Sequence, residues 1–386
     1  RARSRPTGRR RRSRSPRLNG SSLERGSPDM PIAVFHALMA GSAAEVPAAF
    51  TAGQWSVADK NTDGAITITV SALPADGGSA ITALQYRING GSWVTMSGTG
   101  TGARDVTGLA NSVQTTVELR AVNAFGNSLD SDDKTVIPRL AEINLYRVAC
   151  TVAPTLAREV ILSALVSGLK TDGVWTKLDW MLFLAAEDEQ AGRVNLRTPS
   201  KVASRVNSMT FTTDRGFTGN ASNMHLDFGE VPNAGGNVFA LNNAHIGIWV
   251  NGGSTTAQRS MGQTSSSTLF IHTRGSSGTE TGQINDALNE TYHTFGASPG
   301  TSSGHRVLTR TSSNVKRGTF NGTAAAGGTT ASTSITAANL CVGRSSSIYD
   351  DKRYAAAHSG SGLTDADMLA IYNRLNTALT AVGANV

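Results

Sequence analysis

The chain has 386 residues, of which 39% are hydrophobic and 16% charged, with a formal net charge of +7. That length exceeds one ordinary domain and the apolar share supports real cores, yet no stretch approaches the ~18 apolar residues of a membrane helix. The positive balance is local: Arg1, Arg3, Arg5, Arg9, Arg10, Arg11, Arg12, Arg14 and Arg17 precede the first acid, Glu24, and without these nine the charge falls from +7 to −2. A nucleic-acid function therefore rests on that segment alone and is not expected of the body.

In chain order, residues 1–29 cannot bury anything and are expected to be disordered. Three readings compete. The segment is an upstream read-through before Met30, a basic arm for nucleic acid or acidic surfaces, or the charged start of a signal peptide. In the last case Ile32–Ala40 is the apolar stretch and Ala40–Ala44 the cleavage zone. The first is preferred, because the chain does not begin with Met. Residues 30–53 are expected to be a leader or anchor segment.

Residues 54–138 read as a compact β-sandwich. Ala65–Val70 alternates as a strand, Pro74–Gly78 is a turn, Leu84–Ile88 is a strand, and Asn89-Gly90-Gly91 is a tight hairpin signal before Trp93. Val113–Val122 alternates again and is closed by Asn123-Ala124-Phe125-Gly126. The stretches Asp76–Thr82 with Tyr86, Thr107-Gly108-Leu109, Leu119–Gly126 and Ile137-Pro138 resemble a fibronectin type III domain of the bacterial and phage kind. The resemblance implies a spacer. It departs at Thr115, where the family often has a Tyr that makes a corner hydrogen bond.

Residues 139–155 read as a linker. Leu156–Lys170 is expected to be a helix, with Ala157, Ile161, Ala164, Leu165 and Leu169 as its apolar stripe, ended by Asp172-Gly173. Val174–Ala186 is the most apolar run of the chain and must be buried, as helix or central strand, which periodicity does not decide. In 207–228, Met209, Phe211 and Thr213 share one face of a strand, turn residues follow from Asp214 to Asn220, and Met224, Leu226 and Phe228 restart the alternation. Further strands are expected at Ala244–Val250, Thr268–Arg274, Val307–Arg310, Ala338–Val342 and Arg353–Ala357. Thr364 is expected to cap a final helix with Met368, Ile371, Tyr372, Leu375 and Leu379 as its apolar face.

Many short strands over 156–386 fit a two-sheet jelly roll better than an α/β fold. The stretches 173–188, 207–229, 242–250 and the ending 338–379 resemble concanavalin A-like lectin/glucanase (LamG-type) domains of phage and prophage structural proteins. The expected class is therefore all-β: a fibronectin type III-like sandwich followed by a concanavalin A-like jelly-roll sandwich with flanking helices, behind a disordered basic tail. The abundance of Gly, Ser, Thr and Asn over charged residues is common in such secreted or virion-surface proteins.

The glucanase branch of that fold carries two carboxylates on one strand face, about 5 Å apart for retaining hydrolysis. The nearest match, Glu187-Asp188-Glu189, lacks the spacing. Gly300-Thr301-Ser302-Ser303-Gly304 with His305 matches a nucleophile-elbow pattern, but in a Gly/Ser-rich tract without a strand-then-helix context it reads as a loop. No cofactor is expected. Asp130, Asp132, Asp133, Asp350 and Asp351 could bind Ca²⁺, but they lack a ligand rhythm, and the histidines lack metal spacing. Cys150 and Cys341 are expected as two separate buried thiols rather than a framework.

What remains is a sugar-binding surface, built from aromatic faces and forked polar groups. The candidate residues are His245, Trp249, His272 and Arg274 on strands, with Arg344, Tyr349 and Asp350 in a loop beside the last strands. The alternative for Trp249 is core packing. The function read from these features is a non-catalytic virion-associated adhesin: a tail fibre, spike or capsid decoration that binds host-surface carbohydrate. Its expected location is the virion surface or the extracellular space. Its expected partners are host glycan, other virion structural proteins and, in an oligomer, copies of itself, with no membrane and no nucleic acid. The rival readings are a glycan hydrolase of the same fold and a purely structural surface protein.

Overall fold

A computed structural model of the chain describes residues 43–254, 258–273, 280–287, 293–295, 302–325 and 327–385. The basic tail, the leader up to residue 42 and the Gly300–Thr301 start of the elbow-like pattern lie outside the described residues.

The first part is a small antiparallel sandwich. Its strands are β1 (Trp55–Asp59), β2 (Ile66–Val70), β3 (Ala83–Ile88), β4 (Val94–Thr95), β5 (Gly102–Val106), β6 (Thr115–Asn123), β7 (Gly126–Asn127) and β8 (Lys134–Val136). One sheet runs β1-β2-β5 and the other β4-β3-β6-β7, with β8 also on β6. The alternation read from the sequence decides the faces. Ile66, Ile68 and Val70 point inward and meet Val117, Leu119 and Ala121 of β6 around Trp55. Asn123, the polar end of that strand, donates to the carbonyls of Glu45 (2.7 Å) and Asp76 (2.8 Å), pinning the incoming chain to a turn. Gly77 of that turn has φ +69°, and a Cβ there would lie 2.3 Å from the Glu45 carbonyl. Only glycine permits this approach.

The expected linker is not one. Ala141–Ala149 forms helix α1, because Leu140, Ile143, Tyr146 and Cys150 fall on one side and are buried against α2 (Leu156–Thr171) and its surroundings. The stripe of α2 is rotated from the one expected. Ala157 and Ala164 are exposed, while Leu162, Leu165, Val166 and Leu169 are buried. The cause is that α2 packs on two sides at once, against α1 and against the C-terminal helix α3 (Asp365–Ala381). Arg139 bridges the two parts of the molecule: its Nε donates to Glu159 of α2 at 2.7 Å, and its backbone N–H donates to Asp59 at 3.2 Å.

The second part is a larger sandwich. Its strands are β9 (Leu178–Leu182), β10 (Ser204–Val206), β11 (Thr210–Thr212), β12 (Gly216–Thr218), β13 (His225–Asp227), β14 (Ala244–Gly252), β15 (Gln258–Gln263), β16 (Ser266–Thr273), β17 (Thr281–Ile284), β18 (His293–Thr294), β19 (Gly304–Ser312), β20 (Val315–Phe320), β21 (Thr323–Ala324), β22 (Leu340–Val342), β23 (Arg344–Ser345), β24 (Ile348–Tyr349) and β25 (Arg353–Gly360). One sheet runs β10-β13-β22-β15-β16-β17-β18. The other runs β11-β12-β25-β14-β19-β20-β21, with β9 on β25. The chain is all-β with flanking helices, as its strand spacing predicts.

Two sequence ambiguities are resolved here. The apolar run after Val174 is a short 3₁₀ turn, Trp175–Lys177, followed by a strand buried along its whole length. Residues 207–228 form three strands rather than two. Phe211 and Phe217 pair across a tight hairpin whose Asp214 has φ +57°, and the chain then crosses to the other sheet for β13.

Inward residues of both sheets, among them Ile246, Ile248, Val250, Met261, Leu269, Leu308 and Val342, form the sandwich core. The other face of β14, β19 and β25 is covered by α2 and α3, and a second core forms there. Helix α3 carries the expected capping box: Thr364 Oγ1 accepts from Asp367 N at 3.2 Å, and Asp367 accepts from Thr364 N at 2.8 Å. Met368, Ile371, Leu375 and Leu379 are fully buried. Leu375→Ala should therefore cost about 2–5 kcal/mol and Thr364→Ala about 1 kcal/mol. Urea titration of each variant measures this, and an unmoved midpoint for Leu375→Ala would show that α3 is not docked.

Candidate functional site

The structure does not assemble the expected sugar surface. His245 and Trp249 project from β14 on the helix side, where they are 0% and 1% exposed. Trp249 stacks on Tyr372 of α3, with ring centroids 5.7 Å apart and planes at 5°, and on His305. The expectation failed because both faces of this sheet are covered. Asp350 is likewise fully buried, where it pairs with Lys352 at 2.9 Å and accepts from Ser260 at 2.5 Å. Arg274 lies outside the described residues, and His272 is half-buried beside Thr281 on the other sheet. Of the seven, only Arg344 and Tyr349 come together: the guanidinium lies 4.9 Å from the ring centroid on the small β23–β24 hairpin. His225, not among the expected residues, sits 5.9 Å from Tyr349 but is itself buried.

His245 instead belongs to a chain of three buried histidines on adjacent strands. Its Nδ1 lies 2.5 Å from the Ser361 carbonyl, which can only accept, so Nδ1 carries the proton and Nε2 accepts. His358 Nδ1 then donates to His245 Nε2 (3.0 Å), and His305 Nε2 donates to His358 Nε2 (2.9 Å). This pattern is the one that three neutral rings adopt, and burial favours the neutral form. Gly247 lies opposite, since a Cβ there would be 2.2 Å from the His358 ring. Burial pushes the pKa of His245 down to about 4 and that of His305 to about 3, and holds His358 well below its ordinary value.

A cavity lies elsewhere, at the junction of α1, α2 and the loop after β9. Its volume is about 410 Å³. Tyr146, Leu162, Phe183, Ala186 and Ala191 give it apolar walls, and Val152, Thr155, Glu187, Asp188, Thr213 and Asp214 form its rim. Local capping shapes it. Thr155 caps α2 by accepting from Arg158 N, and Glu187 accepts from both Thr155 N (2.9 Å) and Thr155 Oγ1 (2.6 Å), locking the cap to the loop. Asp188 Oδ1 accepts from Gln190 N (3.0 Å) and Ala191 N (3.2 Å). Arg158, 6% exposed, donates to the Ala185 carbonyl (2.7 Å) and to Asp214 Oδ1 (2.5 Å). Tyr146 holds the far wall by donating to the Ala191 carbonyl at 2.8 Å.

Two carboxylate oxygens at this cavity, Oδ2 of Asp188 and Oδ2 of Asp214, have no donor among the described residues. Acceptors above an apolar wall suit a ligand with hydroxyl donors and a carbon face. Burial pushes the neighbouring Cys150 thiol up to about 11, so it is not a nucleophile near neutral pH. Cys341 is also a free, buried thiol. Sequence reasoning weighed Glu187-Asp188-Glu189 only as a catalytic pair. Its partners Thr155 and Asp214 lie about thirty positions away on either side, and only folding brings them to it.

No family model matches the chain, and no curated protein matches its sequence. Among solved structures, domains A168–A170 of titin are 20% identical with a TM-score of 0.21, covering 24% of this chain and 32% of that one. The botulinum neurotoxin serotype D binding domain is 10% identical, TM-score 0.37, covering 52% of each chain. The Trypanosoma rangeli sialidase is 11% identical, TM-score 0.38, covering 83% of this chain and 52% of that one. The chain thus spans about a third to a half of these structures. Likeness at this level carries no information on ligand or activity.

The histidine chain has a measurable consequence. A histidine whose folded pKa lies below its unfolded value of about 6.5 is proton-poor in the native state. Stability is therefore fully present above pH 6.5 and is lost as the pH falls toward 4 and 3. From His245 alone the loss is on the order of 3 kcal/mol. Thermal melts between pH 7 and 4 should show Tm falling steeply, and more shallowly in His245→Gln. Equal slopes would show that these groups are not buried neutral.

Proposed function

We propose that the chain is a non-catalytic carbohydrate-binding surface protein, an adhesin of a virion or cell surface, whose C-terminal sandwich takes a saccharide unit of a host glycan in the cavity between Tyr146 and Asp214. The first sandwich acts as a spacer. The observation that carries the reading is the pair of carboxylates, Asp188 and Asp214, whose Oδ1 atoms are engaged while their Oδ2 atoms take no donor among the described residues, at a cavity with apolar walls. Sugar hydroxyls donate to such oxygens while the C–H face of the ring packs on the apolar side.

The non-catalytic part of the proposal rests on what the other acids do. Glu187 is spent on the Thr155 cap, and Glu189 pairs with Arg193 at 2.7 Å. Hydrolysis would need one carboxyl protonated over the scissile bond and a second across from it. A glycan array probed with the purified chain should give hits among bacterial surface polysaccharides.

Asp188→Asn keeps the Oδ1 cap but replaces the free acceptor with a donor, so affinity should fall at least tenfold while Tm stays within a degree or two. Unchanged affinity would place the ligand elsewhere. Release of reducing sugar, abolished in Asp188→Asn, would convert the reading to a hydrolase. Co-purification with particle proteins and no glycan hit would favour a purely structural role.

A further inference from the structure

A second cleft, of about 270 Å³, opens where the start of β9, the 197–201 loop and the glycine-containing 235–238 loop meet. Its acids are already engaged. Both Asp179 oxygens accept backbone N–H groups, from Val238 (2.7 Å) and Phe239 (2.9 Å), and Glu230 accepts from Lys201 at 2.8 Å. Arg197 differs. Among the described residues its guanidinium has no carboxylate partner, and its Nε is buried without an acceptor. The group lies 5.7 Å from the ring centroid of Trp175, whose own buried Nε1 also lacks an acceptor. A buried donor left unpaired costs about 1–3 kcal/mol, so this corner has hydrogen-bond donors in excess. Gly235 and Gly236 on its lining border open space, since a Cβ on either would meet nothing within 4 Å.

We propose that this cleft binds a ligand carboxylate on Arg197. The planar guanidinium presents paired N–H groups that match the two oxygens of a carboxylate, and Thr198 on the cleft wall offers a hydroxyl to the rest of the ligand. The volume suits one small unit, either a free organic acid or the acidic residue of a saccharide. The site is distinct from the cavity at Asp188 and does not depend on the reading of that cavity.

The test is calorimetric titration of the full chain, at constant ionic strength, with glucuronate, acetate, glucose and inorganic phosphate. Arg197→Gln should lower glucuronate affinity at least tenfold, and Arg197→Lys should retain part of it. Glucuronate tighter than acetate assigns the site to an acidic sugar, and equal binding assigns it to a small organic acid. The proposal is overturned if neither carboxylate binds, if Arg197→Gln binds glucuronate as the wild-type chain does, if Asp188→Asn rather than Arg197→Gln removes binding, or if phosphate binds more tightly than both carboxylates. A thermal melt of Arg197→Gln separates loss of the site from loss of the fold.

Discussion

The larger domain depends on the burial of one sheet on both faces. Strands β14, β19 and β25 give Ile246, Ile248, Leu308 and Ala357 to the space between the sheets, and Trp249, Val307 and Ala356 to the helices. Burying a large side chain contributes roughly 1.5–3 kcal/mol before entropy, and here the alternate positions of each strand all contribute. The nearly parallel stack of Trp249 on Tyr372 is the point where α3 closes the second face. Because that face is dry, unpaired polar groups on it are costly, and among the described residues Trp249 Nε1 and His305 Nδ1 are left without a partner there. The histidine chain limits the cost by passing one N–H to the next acceptor until it reaches the Ser361 carbonyl.

Charge inside the sandwich follows the same constraint. Arg306 pairs with Glu280, Arg310 and Lys316 share Asp286, and Lys352 pairs with Asp350, with all of these side chains at most 2% exposed. Removing such ions from water is expensive, and their mutual attraction offsets the cost only with good geometry. Breaking one partner away would leave an uncompensated buried charge. Arg306 and Arg310 lie on β19 and Lys316 on β20, while their acids and the Asp350–Lys352 pair sit in the adjoining loops, so a one-residue slip of either strand would turn its cations away from their partners.

Both candidate sites lie at the edge of the sandwich, where loops are held by caps. Glu187 locks the start of α2 to the loop after β9, and Asp179 locks the 235–239 loop to β9 itself. In each case one acid is consumed in building the cavity wall. What is left uncommitted differs in sign: carboxylate oxygens of Asp188 and Asp214 in the first, the guanidinium of Arg197 in the second. The two cavities therefore offer opposite chemistries within one domain.

Local pattern determined much of this protein. Period-2 alternation in Ile66–Val70 and Ala244–Val250, the turns at Asp76-Gly77-Gly78, the helix from Leu156 and the Thr364 cap with its apolar stripe are all legible, because each depends on neighbours within a few positions. The helix Ala141–Ala149 also carries a local pattern, Leu140, Ile143, Tyr146 and Cys150, although residues 139–155 read as a linker. What only the tertiary structure decided is which alternating face meets water. A strand's sequence states that it has two faces, and not that a helix more than a hundred residues later will cover the second. That is why Trp249 and His245 became core, and why Thr155, Asp188 and Asp214, read singly as the end of a linker, part of an acid run and a turn, became one cavity.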